Sequence, residues 1–336
     1  MKSITLGING FGRIGRTLFR LLQEEPHIHV GVVNDVADIR TLAHLLKYDS
    51  IHGIFPGAVS VDQNTLITPK GTTRVSHEEQ PDSIPWAEAG VDLVIEATGR
   101  FKTRENLQKH LQAGAPKVML TAPPPEEDIP MVVYGINHET LGDQDLIFSN
   151  ASCTTHNAAP MIAILDKLCG IQQAYITTVH SYTSDQSLHD RPHRDLRRAR
   201  AAGQSIVPTT TGAAKALTRI FPHLSSAIGG CGIRVPVPNG SLTDITANVL
   251  KPTSIEEINA TFKAFSQNEF KKVLQYTEDP IVSIDINNSC YSCTFDSQMT
   301  SVIGNMVKVI GWYDNETGYS SRIIDTVKWM TEKKFL

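Results

Sequence analysis

The sequence predicts an α/β fold: a Rossmann-type, doubly wound parallel sheet joined to an α+β domain with a mostly antiparallel sheet. Three observations carry this. A short β-rich run ends in a glycine cluster and passes straight into a helically spaced segment. Strand-like and helix-like segments then alternate through roughly residue 150, as in parallel doubly wound sheets. Beyond that point long alternating runs take over, which suits an antiparallel sheet with helices on one face.

Ser3–Asn9 is the first strand. Arg13–Leu22 follows with apolar residues at Ile14, Leu18, Leu21 and Leu22, a helical spacing. His29–Asn34 is a second strand of buried type, followed by Asp35. Val91–Glu96, Lys117–Thr121 and Ile129–Tyr134 are further strands, with a helix from about Arg104 to Ala113. In the second half, Thr154–Leu168 reads as helix and Ala174–His180 as strand. A polar, arginine-rich stretch, Ser181–Gln204, precedes an alanine-rich helix, Gly212–Ile220. Gly232–Val237, Leu242–Leu250, Val282–Asp285, the region around Thr294, and Val307–Gly311 supply the second sheet. Tyr319, Ile323, Val327 and Met330 mark a last amphipathic helix, expected to pack back on the first domain. The expected domains are residues 1–151 with 318–336, and residues 152–317.

Bulk properties exclude several classes. A chain of 336 residues fits two domains of ordinary size. With 40% hydrophobic and 20% charged residues it has globular composition and ample core material. A formal charge of −4 gives no global field for nucleic acid or an anionic membrane. No run of about 18 apolar residues occurs, and the start does not read as a signal peptide. Five cysteines suit free thiols in a reducing cytosol better than a disulfide framework.

Gly10-Phe11-Gly12-Arg13-Ile14-Gly15 is a G-x-G-x-x-G between a strand and a helix. The first glycine permits a tight turn, the second lets backbone approach a pyrophosphate, and the third allows close helix–strand packing. The helix N-terminus adds positive potential. Twenty residues past Gly15, Asp35 stands where a ribose diol would be held. The bland alternative is a structural glycine turn, which the strand before and the acid after argue against.

Ser152-Cys153-Thr154-Thr155-His156-Asn157 lies between a strand and an apolar helix, so Cys153 meets the positive end of a helix dipole. Pro160 is awkward there, so the helix starts either near Cys153 with a distortion or a few residues later. Cys169 and Cys231 read as small buried hydrophobes. Cys290-Tyr291-Ser292-Cys293 is a C-x-x-C without a second pair or nearby histidines, so no metal site is expected.

Ala151-Ser152-Cys153-Thr154-Thr155 resembles the active-site signature of the glyceraldehyde-3-phosphate dehydrogenase family. The resemblance runs the length of the chain. It includes Asn9–Arg16, Lys47–Gly53, Thr98–Phe101, His180–Thr183, Pro208–Lys215 and Trp312–Tyr319. It implies a cytoplasmic glycolytic oxidoreductase, a homotetramer that uses NAD and oxidises glyceraldehyde 3-phosphate with inorganic phosphate. Cys153 would be the nucleophile and His180 its base, with an imidazolium beside the sulfur stabilising a thiolate. Gly10, Phe11, Gly12, Arg13, Ile14 and Asp35 would hold the dinucleotide. Thr121 would sit near nicotinamide, Asn315 would fix its amide, and Tyr319 would lie against the ring region. Thr183, Asp185 and Arg234 would serve the substrate phosphate, with Arg198 between the two anion pockets. Ser152, Thr154, Thr211 and Gly212 would line the attacking phosphate's site. A carboxylate cannot donate, so the role expected of Asp185 is orientation.

The same resemblance makes His156 structural, and makes Arg191–Arg200 the family's S-loop rather than a nucleic-acid patch, since Asp195 interrupts it and no aromatics interleave. The related erythrose-4-phosphate dehydrogenases tend to lose Thr183 and the Thr209–Gly212 segment, both kept here. A non-catalytic nucleotide-binding regulator is disfavoured because Cys153 and His180 are both intact. Three departures remain. Asn157 replaces a frequent second cysteine, Pro123-Pro124-Pro125 stiffens a loop near nicotinamide, and Arg191 stands where the family has a small or apolar residue near the cofactor ribose. The last admits some NADP use.

Overall fold

The computed structural model describes residues 2–336; Met1, with which the first expected domain begins, lies outside them. The chain divides into two compact units. One runs up to Val132 and takes in His138–Ala151 and Ser320–Leu336; the other comprises Val133–Asn137 and Ser152–Tyr319.

In the first unit, β1 (Ile4–Asn9) leads through a glycine turn into α1 (Arg13–Leu22), whose buried face includes Leu18, Phe19 and Leu22. After β2 (Ile28–Asn34), α2 (Ile39–Lys47) begins at Asp38, whose carboxylate accepts from the amides of Arg40 and Thr41. Asp38 thereby satisfies donors that a helix start leaves open. Next come the small ladder β3 (Tyr48–Asp49) with β4 (Gly53–Ile54), and then β5 (Ser60–Asp62), β6 (Thr65–Thr68) and β7 (Gly71–Ser76). The unit continues with β8 (Leu93–Glu96), α3 (Arg104–Gln112), β9 (Val118–Leu120) and β10 (Ile147–Ser149). Sheet order is β10-β9-β8-β1-β2-β7-β6-β5, parallel from β10 to β7 and antiparallel at the β5–β7 edge. The order reverses about β1, so the carboxyl ends of β1 and β8 flank a topological switch point, where such sheets bind ligands.

The stretch read as a strand at Ile129–Tyr134 forms only a bridge of Met131 to Ser149. Pro130 has no N–H to continue a ladder. It supplies only its carbonyl, to Ser149 N, while Val132 N returns to Ser149 O.

The second unit opens with α4 (Cys153–Cys169), β11 (Ile171–Ser181), β12 (Val207–Thr209) and α5 (Ala213–Ile220). It continues with β13 (Ile228–Val235), β14 (Ser241–Val249), α6 (Ile255–Gln267) and β15 (Leu274–Thr277). The last elements are β16 (Cys293–Asp296), β17 (Ser301–Ile303), β18 (Met306–Tyr313) and α7 (Thr317–Glu332), whose later turns belong to the first unit. The sheet runs β12-β13-β11-β14-β18-β16-β15, with β17 paired to β18. β11 with β13 and β15 with β16 are parallel; the other pairings are antiparallel. Phe262 of α6 stacks on Phe295 of β16 at 3.9 Å between ring centroids, which fastens that helix to the sheet. The expected strand at Val282–Asp285 is instead a 3₁₀ turn, Ser283–Ile286. The Asp285 carboxylate accepts from Val282 N and closes it.

Candidate active site

In the first unit the glycine loop has the form the sequence implied. Gly10 has φ +94°, and a Cβ there would meet Thr98 N at 2.6 Å. A Cβ on Gly15 would stand 2.1 Å from Gly10 O, so helix and turn touch through bare backbone. Gly12 has nothing within 4 Å of its missing Cβ, leaving room for a ligand to approach the amides at the start of α1. Asp35 Oδ2 accepts from Phe11 N at 2.8 Å and Oδ1 from Ala37 N at 3.0 Å, which fixes the carboxylate beside the loop with lone pairs to spare. These residues suit a dinucleotide. Arg13 points elsewhere: its guanidinium grips Asp49 at 2.5 and 3.1 Å. Ile14 lies in the first turn of α1. Thr121 gives its hydroxyl proton to Glu96 O, so only its lone pairs remain for another partner.

In the second unit, α4 begins at Cys153 itself and carries Pro160 inside it. Ser152 is its N-cap and accepts from Thr155 N at 3.2 Å. His180 is the last residue but one of β11, and the parallel register sets it opposite Arg234 of β13. Cys153 Sγ lies 3.5 Å from His180 Nε2. Behind the ring, Arg234 NH1 stands 2.6 Å from Nδ1 and 2.9 Å from Ser181 O.

Burial and then the Arg234 guanidinium press the His180 ring down to about 3, while its bond to Ser181 O raises it. Burial pushes the Cys153 thiol up, and Arg234 opposes it. Arg234 is thus the permanent cation of this cluster.

Asp185 accepts from Arg198 NH1 at 2.6 Å, while Arg198 Nε donates to Thr209 Oγ1 at 2.9 Å. Asp185 thus orients an arginine, as a carboxylate can. Burial and the neighbouring Arg198 both press the Arg234 guanidinium down, a pairing of like charges that an anion relieves. Thr211 Oγ1 accepts from Ala213 N, and Gly212 caps α5, an eight-residue helix. Thr183 opens the turn that follows β11, its carbonyl accepting from Gln186 N.

Asn315 is buried, and its Oδ1 accepts from Ser181 Oγ at 2.9 Å and Ser241 Oγ at 3.2 Å. Two hydroxyls on the oxygen leave the amide nitrogen as the group on offer. Tyr319 packs edge-on to His156, and both are buried, so His156 is a core residue. Asn157 Nδ2 reaches Ser292 O and Trp312 O, replacing a thiol with a tie to the sheet. Arg191 is exposed and forms no ion pair within its own unit. Cys290 is exposed and Cys293 buried, and among the described residues no cluster suits a metal ion.

The sequence reading missed Tyr313. Its hydroxyl joins Thr154 Oγ1 at 2.8 Å to Thr178 Oγ1 at 2.9 Å, and its ring stands edge-on to His180 at 6.0 Å. The Trp312–Tyr319 motif contained it, but only the register of β18 beside β14 brings it under the first turn of α4. Ser181 and Ser241 were missed for the same reason.

Comparison with known proteins identifies the family. The family model for the glyceraldehyde 3-phosphate dehydrogenase NAD binding domain matches residues 4–104, and that for the C-terminal domain matches residues 152–315. The glyceraldehyde-3-phosphate dehydrogenase of Geobacillus stearothermophilus is 49% identical over 333 residues, covering 98% of this chain and 99% of that protein. That of Thermotoga maritima is 49% identical over 326 residues, covering 96% and 98%. Glyceraldehyde-3-phosphate dehydrogenase 1 of Bacillus subtilis is 46% identical over 334 residues, covering 98% and 99%.

Proposed function

The chain belongs to the glyceraldehyde-3-phosphate dehydrogenase family, and from that premise we propose that it oxidises glyceraldehyde 3-phosphate to the 1,3-bisphosphoglycerate acyl phosphate through Cys153. The observation that carries the reading is the Cys153 sulfur at the head of α4, 3.5 Å from His180 Nε2.

Cys153 sulfur attacks the aldehyde carbon, and its proton passes through His180 Nε2 to the carbonyl oxygen, giving a hemithioacetal. NAD, held by Gly10, Phe11, Gly12 and Asp35 of the first unit, supplies a hydride acceptor when bound. His180 removes the hemithioacetal hydroxyl proton as hydride departs, leaving a thioester on Cys153. Inorganic phosphate then opens the thioester and releases the Cys153 thiolate. Ser152, Thr154, Thr211 and Gly212 would bind that phosphate, and Thr183 and Arg234 the substrate's own, with Arg198 held by Asp185 between them. Asn315 would donate its amide to the carboxamide of the cofactor, with Thr121 and Tyr319 shaping the nicotinamide surroundings. Exposed Tyr175, Ile303 and Met306 support assembly into a homotetramer, which light scattering tests. A reducing cytoplasm suits a reactive free thiol.

The test is an absorbance assay of nicotinamide reduction with glyceraldehyde 3-phosphate or erythrose 4-phosphate, NAD or NADP, and phosphate present or omitted. Glyceraldehyde 3-phosphate with NAD and phosphate should be fastest, and Cys153→Ser should abolish turnover while retaining dinucleotide binding. Steady turnover without phosphate would overturn the acyl-phosphate product.

A further inference from the structure

A run of buried polar side chains crosses the carboxyl edge of the first sheet and takes no part in the chemistry above. Glu96, the last residue of β8, is fully buried, yet among the described residues no lysine or arginine pairs with it. Its Oε2 accepts from Asn9 Nδ2 at 2.6 Å and His110 Nε2 at 3.0 Å. Its Oε1 accepts from Thr98 N at 2.9 Å and Thr98 Oγ1 at 2.5 Å. Trp86 Nε1 lies 3.1 Å from His110 Nδ1. An indole nitrogen can only donate, so Nδ1 accepts and the ring proton sits on Nε2, aimed at Glu96. On the other side, Asn9 Oδ1 accepts from Asn34 Nδ2 at 2.8 Å, and Asn34 Oδ1 accepts from Glu78 N at 2.9 Å.

The chain Trp86–His110–Glu96–Asn9–Asn34–Glu78 thus links the ends of β8, β1 and β2 and the segment after β7, neighbours in the sheet. Each of the three linked strand ends carries a loop residue of the cofactor site or its wall. Gly10 follows Asn9, Asp35 follows Asn34, and Thr98 stands two residues past Glu96, against Gly10. Burying a carboxylate costs several kcal/mol, which four donors offset but do not turn into a strong gain. An apolar residue would fill the same space more cheaply. What the carboxylate adds is geometry, since its two oxygens hold Asn9 and the Thr98 backbone at one spacing.

We propose that Glu96 and His110 are positioning residues that set the gap between the Gly10 turn and the Thr98–Arg100 loop, and through it dinucleotide affinity. This rests on the reading that the first unit binds NAD. Calorimetric titration of the full-length protein with NADH and with ADP-ribose tests it. Glu96→Gln replaces acceptor lone pairs with amide hydrogens facing existing donors, and His110→Leu removes one donor. Each should weaken both ligands about tenfold, the usual scale for losing a charge-assisted bond. His110→Gln, which returns an N–H toward Glu96, should recover affinity to within about threefold of the parent. Thr98→Val, a milder change at the rim, should weaken both ligands about threefold and answers the question if the buried variants fail to fold. Alkylation of Cys153 by iodoacetamide should proceed at the parental rate throughout. Variants that melt earlier but bind ADP-ribose as the parent does would reduce the network to a structural role and overturn the proposal. A parent that binds neither ligand would instead overturn NAD binding itself.

Discussion

Arg234 sits where it governs two titrations at once. Burial, and after it Arg234, presses the His180 ring down, and against the burial that raises it Arg234 lowers the Cys153 thiol. Removing it should raise both groups. Arg234→Leu should therefore slow iodoacetamide alkylation of Cys153 at pH 7 by about tenfold and shift the alkylation profile to higher pH. An unchanged profile would show that the guanidinium serves only phosphate. Cys169 and Cys293 should lag in both proteins, since burial pushes the first up to about 11 and the second further still. Arg191 permits a second test. It is exposed, and we propose that it pairs with the 2′-phosphate of NADP held by an adjoining subunit, against the repulsion expected of a carboxylate such as Asp35. Arg191→Ala should raise the NAD-to-NADP efficiency ratio about tenfold, and an unchanged ratio removes Arg191 from coenzyme choice. Cys153 and Asp35 stood out in the sequence beside a helix start and a glycine turn, and His180 through the family resemblance. Tyr313 and Ser241 did not, because nothing local marks a hydroxyl whose partners lie on another strand.

Among the elements, α4 joins stability to chemistry. Its first turn holds the nucleophile, and Ser152 is the side chain that caps it, also bonding Thr155 Oγ1 at 2.7 Å. Ser152→Ala should cost about 1 kcal/mol of stability, measured by urea unfolding. It should also lower turnover if the hydroxyl serves phosphate, with a larger fall at low phosphate than at saturation. A loss of stability with the phosphate dependence intact would confine Ser152 to capping. Pro160 shows where sequence rules reach their limit. Proline is tolerated in a helix's first turn, yet α4 starts seven residues before it, and burial of nearly every side chain from Thr154 to Leu165 outweighs one missing hydrogen bond. The helices α2 and α6 went unread although both carry start signals. Asp38 precedes α2, and Ser254 three residues before Glu257 is a capping pattern, its hydroxyl accepting from Glu257 N at 3.1 Å. Val282–Asp285 failed in the other direction, because four residues of alternation do not distinguish a strand from a turn closed by its own aspartate.

At the scale of the molecule, the class of each sheet was legible, since alternation and strand–helix spacing report which faces are covered. The order β10-β9-β8-β1-β2-β7 was not, because pairing partners are chosen by packing across distant segments. The Arg13–Asp49 pair shows the same non-local logic, and it makes stability depend on pH. Burial alone would raise the Asp49 carboxyl, but bonds from His52 N, Arg13 and Ile51 N overcome it and hold it down to about 2. In the unfolded chain an aspartate returns to about 3.9. A group depressed on folding stabilises the fold fully above its unfolded value and loses that contribution as pH falls toward the folded one. The difference corresponds to roughly 2 kcal/mol, with about half gone by pH 3. Asp49→Asn cannot titrate, so its penalty in urea unfolding should be greatest at pH 6 and shrink by about 1 kcal/mol at pH 3. Any constant cost of the amide cancels between the two pH values, as does the titration of other carboxylates shared by both proteins. A penalty equal at pH 6 and pH 3 would mean that Asp49 keeps an ordinary carboxyl in the folded state and that the Arg13–Asp49 pair adds no pH dependence to stability.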